Sequence, residues 1–110
     1  MNDSLADLNQ HLKQFAIDRD WEQFHDPKNL SMALIAEAAE LVEHFQWLTP
    51  QQSNNLSAEK LHEVSHEMAD ILIYLVRLSE RLDIDLIKAA NEKIAINHKR
   101  FPVCNKKNMA

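Results

Sequence analysis

The chain reads LSMALIAEAAELVEHFQWL at residues 30–48 and SAEKLHEVSHEMADILIY at residues 57–74. Each stretch includes one pair of acidic residues three positions apart within a largely apolar run. Glu37 and Glu40 form the first pair, and Glu67 and Asp70 form the second. Because residues at i and i+3 share one face of a helix, each pair predicts a patch of like charge beside an apolar face.

Antiparallel packing of these two helices would bring the four carboxylates together. Clustered carboxylates repel one another and are costly in apolar surroundings, unless a cation lies between them or some of them stay protonated. A set of oxygen ligands suits a hard ion. We therefore expect Glu37, Glu40, Glu67 and Asp70 to bind Mg²⁺, with Mn²⁺ as the other possible ion. The alternative for either pair alone is a solvated helix edge that needs no ion.

The composition excludes several common kinds of site. The 110 residues include no glycine, so the glycine-rich phosphate loops and the nucleophile elbow of serine hydrolases are absent. The net charge of −5 argues against a general nucleic-acid-binding protein. A single cysteine permits no internal disulfide, and no apolar run is long enough to span a bilayer. We expect a cytoplasmic protein.

The periodicity of apolar residues predicts an all-α domain with four main helices. We expect Ser4 to cap the first helix, Ser57 the third, and Asp83 or Asp85 the fourth. On the third helix, seven apolar residues form the predicted core face. They are Leu61, Val64, Met68, Ile71, Leu72, Leu75 and Leu78. The predicted helices cover residues 4–20, 30–48, 57–82 and 86–100.

Two segments between these helices are predicted to be irregular. Residues 21–29 form a connector broken by Pro27, and residues 49–56 form a polar loop. The connector holds two aromatic residues and a histidine between Trp21 and His25. It either packs as a hydrophobic loop or forms one wall of a base-binding pocket.

Several further motifs accompany the acidic pairs. The quoted motifs are Trp21 to His25, EAAELVEHFQW at residues 37–47, DILIYL at residues 70–75, and Lys93-x-x-x-Asn97 before Arg100-Phe101-Pro102. Together they resemble the MazG-like, all-α nucleoside triphosphate pyrophosphatases, and in particular the branch that acts on dCTP. The similarity covers roughly residues 5–102. One departure is His66, where that branch often has a second acid before Glu67.

The resemblance implies an activity, a fold and a set of functional residues. The activity is hydrolysis of (deoxy)nucleoside triphosphates to monophosphate and pyrophosphate, as house-cleaning of the nucleotide pool with a possible preference for dCTP or other pyrimidines. The fold is a four-helix MazG-like bundle over residues 1–103, followed by a flexible tail over residues 104–110. The assembly is a homodimer or homotetramer in which a second subunit completes each pocket. The implied substrate-binding residues are Trp21, His25, Trp47, Tyr74, Lys93, Asn97 and Arg100.

A mechanism can be written for these residues. We expect a site carboxylate, Glu40, to deprotonate a water that attacks the α-phosphate. Lys93, together with the metal, would stabilise the charge on the departing pyrophosphate.

Three other functions fit parts of the sequence. His62-Glu63-x-x-His66 matches the zinc protease motif H-E-x-x-H, without a recognisable third ligand. Glu22-x-x-His25 and Glu63-x-x-His66 match the ligand spacing of di-iron bundles, although Glu22 lies in the connector. Finally, the acids could be surface charge on a non-catalytic helical regulatory or assembly module.

Overall fold

The computed structural model describes residues 4–103, which form an all-α fold without strands in that range. Four long helices confirm the predicted number of main helices, and two short elements were not predicted. The elements are α1 (Leu5–Asp18), a 3₁₀ turn (Glu22–Phe24), α2 (Pro27–Glu43), α3 (Pro50–Ser53), α4 (Ala58–Arg81) and α5 (Leu86–Arg100). The predicted tail, residues 104–110, lies outside the described residues. None of the helices within them is long and apolar enough to cross a membrane.

Each of the five α-helices begins at a side-chain cap. The capping residues are Ser4, Asp26, Thr49, Ser57 and Asp85. In every case the side-chain oxygen accepts a hydrogen bond from the backbone N–H three residues on, which satisfies one of the free donors of the first turn. The predicted caps at Ser4, Ser57 and Asp85 are confirmed.

Two aspartates replace glycine where α1 and α4 end. Asp20 has φ 56° and Asp83 has φ 55°, in the left-handed region that closes many helices. Asp tolerates this region better than most residues other than glycine. In a chain without glycine, the two turns are therefore made by residues of the next best kind.

The predicted bounds of the second helix are wrong at both ends. Pro27 is the first residue of α2 and not a breaker inside the connector, because Asp26 caps the helix and a proline at the first position loses no hydrogen bond. The helix ends at Glu43 and not at Leu48, since the backbone N–H groups of His44, Phe45 and Leu48 bond to carbonyls three residues back. The predicted 49–56 loop contains α3, which a capping box between Thr49 and Gln52 begins.

The packing centres on α4. Helices α2 and α1 pack against it, whereas α5 packs on no other described helix to a comparable extent. The apolar residues that are fully buried within residues 4–103 are Ala16, Leu30, Val64 and Val76. The core of a single protomer is therefore small.

Part of the predicted core face of α4 is exposed. Leu61 and Met68 are 58% and 56% exposed, because α1 and α2 cover only one side of the helix. On α2, Met32, Ile35 and Val42 are also exposed. The radius of gyration is 17.9 Å, whereas a compact domain of this length has about 13 Å. The protomer is elongated and leaves large apolar side chains uncovered.

The cap of α2 gives a test of this fold. Replacing Asp26 by alanine removes the acceptor for the Asn29 N–H, at 2.8 Å, so we expect Asp26→Ala to lower the free energy of unfolding by about 1 kcal/mol. Asp26→Asn keeps a capping oxygen and should retain most of the stability. Urea denaturation followed by circular dichroism measures both. Equal losses for the two variants would contradict the assigned cap.

Candidate metal centre

Two helices bring three acidic side chains together. Glu37 projects from α2, and Glu67 and Asp70 project from α4, one turn apart. One carboxylate oxygen of each lies within 4.8 Å of the others. These residues are three of the four predicted ligands, and they meet within a single protomer because α2 and α4 pack against each other.

Glu40 lies beside this cluster and not within the set of three. Its carboxyl group is close enough to those of Glu37 and Glu67 for its charge to raise the pKa of both. Glu40 is exposed, whereas Glu37 and Glu67 are partly buried. Its position permits either a contact with a bound ion or a contact with water at the rim of the cluster.

The crowding changes the acidity of two carboxyls. Burial raises the pKa of Glu37 from 4.5 to about 7, and the hydrogen bond with Glu40 and the charges of Glu40, Asp70 and Glu67 act in the same direction. Burial also raises the pKa of Glu67, followed by the hydrogen bond and the charge of Glu40. Without a cation, Glu37 therefore holds its proton to a higher pH than an ordinary carboxyl group does.

Two oxygens of the cluster have no partner of their own. Oε2 of Glu37 and Oε2 of Glu67 are buried and lack a hydrogen-bond donor within the described part of the chain. A buried carboxylate oxygen without a partner is costly. A divalent cation would satisfy both oxygens at once, and a donor set made of carboxylates suits Mg²⁺ or Mn²⁺. The residues present therefore fit the predicted ion.

A cavity of about 370 Å³ opens next to Asp70. Trp21 and His25 from the connector line it together with Tyr74 and Arg77 from α4. The rings of Trp21 and His25 are 5.9 Å apart. Three of the predicted substrate-binding residues thus share one cavity with one of the acids. The connector also contributes the 3₁₀ turn, so it is an ordered wall and not a plain loop.

His25 presents an uncharged ring to this cavity. Burial lowers the pKa of His25, and the nearby Arg77 guanidinium lowers it further, while Glu22 partly opposes the change. Nδ1 of His25 is buried and has no hydrogen-bond partner among residues 4–103. A neutral imidazole with a free nitrogen can donate to or accept from a ligand, depending on its tautomer.

Arg77 is a residue that the sequence analysis missed. It is 2% exposed, and its guanidinium contacts Glu22 at 3.2 Å and Glu80 at 3.3 Å. The first contact ties the connector to α4 and so fixes Trp21 and His25 beside Asp70. The available signal was the spacing of seven residues from Asp70, which places Arg77 on the same helix face two turns on.

Trp47 lies in a different cavity. The predicted helix would have placed it along the direction of Glu40, but α2 ends at Glu43 and the chain turns before Trp47. Trp47 is 86% exposed and lines a cavity of about 730 Å³ with His44 and Lys60. Within one protomer, the structure does not bring Trp47 together with Trp21, His25 and Tyr74.

The predicted nucleotide-binding residues of α5 do not line the cavity beside Asp70. Asn97 lines a small cavity with Ile94, His98 and Phe101, all from α5 and its end. Lys93 and Arg100 are exposed on the same helix. Helix α5 packs only weakly on the other described helices, so helix packing within one protomer does not hold these residues at the acidic cluster.

The motifs of the rival functions do not converge on a metal. His62 and His66 are exposed, with ring centroids 4.3 Å apart, and the described residues give them no third ligand. The two acids of the di-iron spacing form ion pairs with basic side chains. Glu22 pairs with Arg77 and Arg81, and Glu63 pairs with Lys60. The carboxylate cluster is the potential metal centre in the described chain.

Comparison with known proteins is consistent with this geometry. A family model described as the MazG-like family matches residues 32–110. The dCTP pyrophosphatase 1 of Homo sapiens is 42% identical over 101 residues, which are 90% of this chain and 59% of that protein. The protein of the same name from Rattus norvegicus is 42% identical over 105 residues, which cover 91% of this chain and 60% of the relative. The chain therefore spans about three fifths of the length of these curated relatives.

A solved structure extends the comparison to the fold. A pyrophosphatase from Archaeoglobus fulgidus superposes with a TM-score of 0.81 and is 35% identical in sequence. The match covers 86% of this chain and 88% of that one. The helical arrangement described above is therefore shared over nearly the whole of both chains.

The raised pKa of Glu37 predicts how the metal-free protein responds to pH. A group whose pKa is raised on folding contributes stability that is present below its ordinary pKa, 4.5, and is lost as the pH rises through its folded value, about 7. Glu37→Gln removes this dependence. We expect the difference in melting temperature, variant minus wild type, measured in EDTA, to increase as the pH is raised from about 5 to about 8. A difference that stays constant over this range would contradict the crowding of Glu37.

Proposed function

This chain belongs to the MazG-like family, and we propose that it hydrolyses (deoxy)nucleoside triphosphates to a monophosphate and pyrophosphate. One observation carries the proposal: two buried carboxylate oxygens from facing helices lack partners at a cluster of acids. The names of the curated relatives favour dCTP or another pyrimidine nucleotide as substrate. Removal of unwanted nucleotides from the pool is the role that such an activity would serve.

Glu37, Glu67 and Asp70 would hold Mg²⁺ or Mn²⁺, with Glu40 as a fourth contact. The bound ion supplies positive charge that neutralises the acids and the phosphate oxygens of the substrate. Mg²⁺ held by a few carboxylates keeps open positions for phosphates and waters. The elevated pKa of Glu37 supports this role, because a cation would favour the ionised carboxylate that burial and the neighbouring acids disfavour.

Glu40 is the candidate general base. It is exposed at the rim of the cluster, so its carboxylate can reach a water in front of the α-phosphate. That water loses a proton to Glu40 as its oxygen bonds to the α-phosphorus, and the bond from this phosphorus to the bridging oxygen breaks. The leaving group is pyrophosphate, whose charge Lys93 would neutralise.

The cavity beside Asp70 is suited to the base and sugar. Trp21 and Tyr74 offer aromatic faces that can stack on a base, and the free Nδ1 of His25 offers a hydrogen bond. A base in this cavity would leave the triphosphate near the acids, because Asp70 lies at the junction of the two. The Glu22–Arg77 contact would keep the cavity wall in place.

A homodimer or homotetramer would complete the site. The protomer exposes apolar side chains on both α2 and α4, and burial of such surfaces drives the association of subunits. Helix α5 carries Lys93, Asn97 and Arg100 but packs only weakly on the other described helices of its own chain. These residues, and Trp47 in its exposed position, would then contact a substrate that is bound mainly by another subunit.

Product analysis tests the reaction. We expect incubation with dCTP and Mg²⁺ to give dCMP and pyrophosphate, separated by ion-exchange chromatography, and Glu67→Gln to abolish turnover. Glu40→Gln should lower kcat by about 10² to 10⁴, the usual contribution of a general base. Glu59→Gln, an exposed acid in the first turn of α4, is the matched control and should match the wild type. Release of orthophosphate with a diphosphate product would contradict the proposed reaction.

Mixing two inactive variants tests the shared site. Glu67→Gln removes an acid and Lys93→Ala removes a residue of α5, so each alone should be inactive. If one site uses acids of one subunit and Lys93 of another, co-refolded dimers of both variants regain intact sites in roughly a quarter of all positions. Recovered dCTP turnover in the mixture supports the arrangement. A mixture as inactive as its components would place Lys93 with the acids of its own subunit and contradict the shared site.

A further inference from the structure

His44 lies between the two helices that carry the acidic cluster. It is the residue after α2 and lies one turn beyond Glu40. Its side chain is 17% exposed, so the imidazole is largely enclosed. Three charged side chains of α4 surround it. Lys60 Nζ is 3.4 Å from Nδ1, Glu63 Oε2 is 3.9 Å from Nδ1, and Glu67 Oε1 is 3.9 Å from Nε2.

We propose that His44 is a positioning residue that orients the carboxylate of Glu67 for the cation. The inference rests on the metal centre proposed above and adds a residue that supports it. His44 need not touch the ion or the substrate. It would act through Glu67, by holding one of the two carboxylate oxygens and leaving the other free.

The contact with Lys60 determines which ring nitrogen carries the proton. An ammonium group has three donors and no acceptor, so Nδ1 of His44 must accept from Lys60. A neutral imidazole with an accepting Nδ1 carries its proton on Nε2. Nε2 is the nitrogen nearest to Glu67. Lys60 therefore directs the N–H of His44 toward the acidic cluster.

Lys60 is itself held in place. Its ammonium pairs with Glu63 at 3.3 Å, three residues along the same helix. The polar contacts thus run from Glu63 through Lys60 and His44 to Glu67 and link α4 to the end of α2. An exposed ion pair adds little stability, but here it limits the positions from which Lys60 can reach the imidazole.

The two oxygens of Glu67 then have different tasks. Oε1 faces His44, whereas Oε2 is buried and without a partner. A donor at Oε1 fixes the rotation of the carboxylate and leaves Oε2 for the cation. At 3.9 Å the contact is longer than a hydrogen bond, and such contacts often shorten when the ligand is bound. Hydrogen bonds to metal-ligating carboxylates commonly orient them in this way.

Metal binding measures this role without reference to catalysis. We expect His44→Ala to weaken Mg²⁺ binding, measured by isothermal titration calorimetry, by about tenfold to a hundredfold. His44→Gln retains an N–H donor and should recover part of the affinity. His62→Ala removes an exposed histidine of α4 and should bind like the wild type. A Mg²⁺ affinity of His44→Ala within about twofold of the wild type would overturn the inference. Failure of the wild type to bind Mg²⁺ would overturn the proposed metal centre itself.

The tautomer of His44 gives a second test that does not depend on metal binding. Nitrogen-15 NMR of the histidine rings distinguishes Nε2–H from Nδ1–H, and the spectrum of His44→Gln assigns the signal among the six histidines. We expect His44 to be the Nε2–H tautomer in the wild type and to lose this preference in Lys60→Met. A ring protonated at Nδ1 alone in the wild type would contradict the orientation of the N–H toward Glu67.

Discussion

The repulsion among the carboxylates at the interface of α2 and α4 is the constraint on which the rest of the structure depends. Glu37, Glu67 and Asp70 approach one another because the two helices pack along their length. Their burial and mutual charge keep the pKa of Glu37 near 7. A fold that tolerates this arrangement without a cation does so at a cost in stability. Such strained clusters of charge are characteristic of functional sites.

The surrounding elements hold the interface of α2 and α4 in place and leave it open on one side. Asp26 and Ser57 begin the two helices that carry the acids. Arg77 ties the aromatic connector to α4 through Glu22, so that an ordered cavity borders Asp70. Helix α5 packs only weakly on the other described helices. The same sparse packing also leaves apolar surface exposed on the protomer. This exposed surface is the reason to expect association with further copies of the chain.

Local patterns in the sequence predicted the clustering of acidic residues better than they predicted the helix bounds and contacts around the cluster. The i, i+3 spacing of Glu37 with Glu40 and of Glu67 with Asp70 was enough to anticipate that acids of two helices lie close together, because helix geometry places such pairs on one face; Glu37, Glu67 and Asp70 do so. The bounds of α2 were missed, since proline is compatible with a first helical position as well as with a break. Exposure of Leu61 could not be anticipated, because a periodic apolar face does not reveal whether its partner is in the same chain. The role of Arg77 depends on a contact 55 residues away, which no local pattern encodes.

The central claim is that a divalent cation lies between α2 and α4 within one protomer. Anomalous diffraction from crystals grown with Mn²⁺ tests it most directly, because the ion is located independently of the protein atoms. The account predicts an anomalous peak within coordination distance of Oε2 of Glu37 and Oε2 of Glu67. A fully loaded crystal whose Mn²⁺ peaks all lie elsewhere, with these two oxygens still without partners, would contradict it.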